Sequence, residues 1–166
     1  MNSDRVNRWL TLGANFGVLI GIILLVIELD QNRDMIRAQT RNEISNQVVE
    51  RLDRQGTDIQ LANLKRRAER SEELSDDEEM QVYLLSVGRN RSWENIHYQY
   101  RHGMFDEQEF AAERNAWGQI IGRDKSFLRY WCPGRSTYSP EFVAELESLF
   151  DGTGCTPAHS EWRNDR

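Results

Sequence analysis

Glu94-Asn-Ile-His97 is the first pair in the chain whose types and spacing reach toward chemistry. Three residues apart, a carboxylate and an imidazole fall on one face of a helix. Di-iron helical bundles use two such Glu-x-x-His pairs, plus a carboxylate from each of two further helices. This chain holds one copy, because neither His102 nor His159 has a Glu three residues before it. Glu94 and His97 are therefore an incomplete metal set. Their plainer reading is a pair along a helix surface. No cofactor is implied.

Arg89 is the second candidate. It interrupts an apolar stripe made of Val82, Leu85, Trp93, Ile96 and Tyr100. A charge inside such a stripe needs a partner or a route to water. Glu113, beyond a turn at residues 103–105, is the expected partner of a buried ion pair. The flat guanidinium fork also suits an anionic ligand.

Trp93, Tyr98, Tyr100, Phe105, Phe110, Trp117, Tyr130 and Trp131 concentrate aromatic area in the middle of the chain. Such a set can line a pocket, but a small helical domain needs it for a core. No nucleophile elbow, phosphate loop or dinucleotide fingerprint is present. No catalytic residue is assigned, and nothing positively indicates an enzyme. Cys132 and Cys155, 23 residues apart, cannot make a zinc site alone. They pair in an oxidising compartment and stay free in a reducing one.

The element that positions all of this is apolar. Residues 9–29 read WLTLGANFGVLIGIILLVIEL, without a charge from Trp9 to Ile27. That is long enough for a helix to cross a ~30 Å hydrocarbon core. The run exceeds a cleaved leader's apolar core and lacks a small-residue cleavage site, so we read it as a retained transmembrane helix. Gly13, Gly17 and Gly21 recur every fourth residue, and Glu28 continues their face. This is the close-packing pattern of associating membrane helices. Arg5 and Arg8 precede the helix, and Arg33, Arg37 and Arg41 follow it, so the basic residues do not set an orientation.

Charge narrows the partners. The chain has 27 acidic and 21 basic residues and a net charge of −6. No general field for nucleic acid follows from that balance. Lys65, Arg66, Arg67 and Arg70 are followed by Glu72, Glu73, Asp76, Asp77, Glu78 and Glu79. The two runs read as solvated and mutually compensating.

The expected fold is all-α. A polar lead (1–8) enters the transmembrane helix (9–29), which continues as a juxtamembrane stalk (30–56). A helical bundle (57–151) and a loose tail (152–166) follow. In the stalk, Ile36, Thr40, Ile44, Val48 and Leu52 form a thin stripe. A second helix covers 58–70. Ser75-Asp-Asp-Glu78 is a capping box for a long helix ending at Gly103. Asp106 caps a helix over 107–121. A short helix carries Phe127, Leu128 and Trp131, and Ser139-Pro140 starts the last one.

Glu28-Leu-Asp-Gln-Asn after the anchor, and Trp93-Glu-Asn-Ile-His-Tyr-Gln-Tyr-Arg before Gly103, resemble a group of small bacterial single-span membrane proteins with a C-terminal helical domain. The resemblance implies a bacterial membrane protein and brings no activity or site residues. The expected function is a membrane-anchored interaction or scaffold protein. Its expected partners are the lipid bilayer, further copies of itself and another protein. The alternatives are a small oligomeric pore with Glu28 near its mouth, and a tethered enzyme or metal-binding bundle using Glu94 and His97.

Overall fold

The computed structural model describes residues 3–150 and 154–155. The expected tail (152–166) lies outside them except for Gly154 and Cys155. Among the described residues the fold is all-α, with no strand. The order is α1 (Ser3–Thr57), α2 (Ile59–Glu69), α3 (Asp76–Arg101), α4 (Glu107–Arg123), α5 (Phe127–Trp131), a 3₁₀ turn (Arg135–Thr137) and α6 (Pro140–Glu147).

Local chemistry explains the boundaries. Asp58 caps α2 by accepting from the Leu61 N–H. Ser75 and Glu78 close the capping box at the start of α3. Gly103 takes a φ of 69°, a left-handed value that glycine adopts without a Cβ clash, and the chain turns there. Asp106 caps α4, and Pro140 occupies the first turn of α6. The Ser139 side chain makes no capping bond, contrary to expectation. Its backbone N–H donates instead to Glu94 Oε1 at 2.7 Å.

The chain divides into two compact units, Met1–Gln39 and Thr40–Arg166. The stretch read as a stalk is split between them. In the first unit, α1 holds a segment long and apolar enough to cross a membrane, and none of its eighteen-residue apolar window is buried. Gly13, Gly17 and Gly21 have open space where a Cβ would point.

In the second unit, the remainder of α1 buries Ile44, with Thr40, Val48, Arg51 and Gln55 half-buried. Leu52 is exposed. The expected stripe stepped strictly by four. A helix repeats every 3.6 residues, so the inward face turns onto Arg51 and Gln55. The core joins Trp93, Ile96, Phe110, Trp117, Phe142 and Leu146. Each such side chain contributes roughly 1.5–3 kcal/mol by leaving water. Of the expected aromatic set, Tyr98 is exposed and Tyr100 packs at the core's edge. A satellite cluster places Leu64, Ala68, Val82 and Tyr130 together.

Candidate functional site

The α3–α4 hairpin sets the site's geometry. Tyr100 stacks on Phe110 at 4.0 Å, and Trp93 stacks on Trp117 at 5.4 Å. Each step back along α3 is matched by a step forward along α4. Arg89 is therefore level with the end of α4, and its Nη1 meets Asp124 Oδ2 at 3.2 Å. The expected partner, Glu113, lies about three turns earlier on α4. Glu113 instead faces a cavity from its side wall, where its charge acts on Arg51.

Asp124 is well held. Its Oδ1 accepts from the Ser126 N–H at 3.0 Å and the Ser126 hydroxyl at 2.6 Å. The Arg89 guanidinium lies near the rings of Trp93 (5.2 Å) and Phe127 (5.3 Å). Burial lowers the Arg89 pKa, and Asp124 opposes that shift. Arg89 Nε and Nη2 are buried without a hydrogen-bond partner, as is Trp117 Nε1.

These groups border a cavity of ≈480 Å³ lined by α1, α2, α3, α4 and the α4–α5 turn. Its cations are Arg51, Lys65, Arg89 and Arg123, and its carboxylates are Glu69, Glu113 and Asp124. Burial pushes the Lys65 ammonium and the Arg51 guanidinium below their usual values. Lys65 donates to Gln55 Oε1 at 2.7 Å. Lys65 is thus part of a cavity wall rather than of a solvated basic run. Glu79, expected in the solvated acidic run, is also buried and pairs with Arg129. Arg67 and Glu78 do compensate each other, at 2.6 Å.

Glu94 and His97 line a second cleft, of ≈520 Å³, but do different work. Glu94 Oε2 accepts from Arg91 at 2.7 Å while Oε1 holds the start of α6. His97 is buried, with its ring 5.9 Å from both Phe110 and Phe142. Burial lowers its pKa and so favours neutral imidazole. Among the described residues, no group of three or more His, Cys, Asp or Glu side chains is placed to hold a metal ion.

The two cysteines are joined. Cys132 and Cys155 form a disulfide with their Cα atoms 5.5 Å apart. No protein-family model, no curated protein and no solved structure matches the chain.

Proposed function

We propose that this protein is a single-pass, membrane-anchored helical interaction protein that self-associates through its N-terminal helix. The observation that carries the reading is the complete exposure of the apolar window in α1. A core helix of a water-soluble fold hides such a surface within its own chain, whereas a bilayer covers it from outside. Gly13, Gly17 and Gly21 give this helix a bare strip on which a second copy can pack closely. The disulfide supports placing the helical domain in an oxidising compartment.

Native mass spectrometry of the detergent-extracted protein tests this reading. The wild type should appear as a defined multiple of the intact 19.5 kDa chain. Gly17→Ile should dissociate it to monomers by placing a branched side chain in the contact. A monomeric wild type would remove the self-association. A shortened chain lacking residues 9–29 would replace the anchor with a cleaved leader.

A further inference from the structure

We infer that the cavity beside Arg89 binds a small organic monocarboxylate with an apolar body, held through the free edge of the Arg89 guanidinium. Asp124 occupies Nη1 and leaves Nε and Nη2 without an acceptor. An unmet buried donor is destabilising, the more so when it is charged. The Trp93 and Phe127 rings offset the guanidinium's charge through their faces. They offer no lone pair to the N–H groups at its edge.

The Nε–Nη2 edge of an arginine is a two-pronged donor that matches the two oxygens of a carboxylate. Trp117, which also lines the cavity, carries a further buried donor without an acceptor at Nε1. Acceptors rather than donors are therefore what this site lacks.

Charge and shape narrow the ligand. Four cations face three carboxylates across the cavity, which leaves one positive charge. A monoanion balances it, whereas a phosphate dianion would crowd Glu69, Glu113 and Asp124. Leu52, Leu85, Trp93 and Ile120 supply apolar wall. The volume of ≈480 Å³ falls in the range of small-molecule sites. The guanidinium edge is closed to water, so seating the ligand requires a neighbouring side chain of the cavity wall to move aside.

The test is calorimetric titration of the full chain in detergent with 4-phenylbutyrate, its neutral amide and phenyl phosphate. Tryptophan fluorescence gives a parallel readout, because Trp93 and Trp117 line the site. The carboxylate should bind saturably, with the amide and the phosphate at least about tenfold weaker. Arg89→Lys keeps a cation for Asp124 but loses the fork, and should weaken carboxylate binding by a similar factor. Ala116→Phe, at an exposed position on the cavity wall, should block binding while leaving Arg89 in place. It decides the matter if Arg89→Lys does not fold. Absence of saturable carboxylate binding, equal binding of the amide or phosphate, or undiminished binding in a folded Arg89→Lys or Ala116→Phe protein would overturn the assignment.

Discussion

Arg89 and Asp124 join the middle of α3 to the C-cap of α4 across 35 residues of sequence, with 15% and 9% of their side chains exposed. The pair sits where the aromatic core meets the cavity. Removing either charge leaves the other poorly compensated in a medium of low dielectric.

Asp124→Asn should therefore destabilise the domain by about 3 kcal/mol, at the lower end for a buried pair because some exposure remains. A thermal melt should show a fall of about 10 °C. Arg89→Met should fall in the same direction. The double variant Arg89→Met/Asp124→Asn should recover part of the loss, because no lone charge remains. An unshifted melting point in both single variants would show that the pair carries no stability.

His97 should make the fold sensitive to mild acid. Its folded pKa lies below the usual 6.5, with burial as the chief cause, opposed by Glu145, Glu141 and Glu94 and aided by Arg101. As pH falls below about 6.5, the unfolded chain takes up a proton that the folded chain resists. Stability from this residue is thus complete above that value and is lost on acidification. His97→Phe keeps the ring between Phe110 and Phe142, and should flatten the decline in melting temperature between pH 7 and about 5. An unchanged acid limb in that variant would assign the decline to other groups.

The Cys132–Cys155 bridge closes a loop that contains all of α6. The lost chain entropy of such a loop is worth about 3 kcal/mol of stability. Melts with and without a thiol reductant should differ accordingly, and Cys132→Ser should match the reduced wild type.

The two units should partition differently. The full chain should remain in the membrane pellet through an alkaline carbonate wash. A chain starting at Thr40, which begins the second unit, should appear in the supernatant. Release of the full chain by the wash would overturn the proposed spanning anchor in favour of a peripheral attachment.

Features set by neighbours in sequence were legible in advance. The capping box at Ser75 and Glu78, the turn at Gly103 and the Asp106 cap each depend on a few adjacent residues. The buried face of α3 was harder to read. It includes Glu79, Ser86, Asn90 and His97, and polar types do not announce burial. Their neighbours lie elsewhere: Asn90 acts on the Tyr138 hydroxyl, and Glu79 pairs with Arg129.

The partner of Arg89 was missed for a related reason. Glu113 is an acid on the next helix, but it lies too close to the turn to be level with Arg89. Arg89 lies 14 residues before Gly103, whereas Glu113 lies only 8 after Phe105, so the two cannot be level across the turn. The antiparallel register, visible in Trp93 against Trp117, sets Arg89 level with Ile121 in the last turn of α4, and its side chain reaches Asp124 three residues further on. That signal was present in the sequence. The cavity itself was not, because it depends on how α1 and α2 pack beside the hairpin.

The disulfide has one more consequence, for a protein exposed to proteases. A single cut between Cys132 and Cys155 leaves two fragments still covalently tied, with α6 unable to diffuse away. On a gel the nicked chain keeps its full mass until it is reduced. Damage in this segment is therefore masked rather than shed, and the nicked molecule retains the means to close again around Phe142 and Leu146.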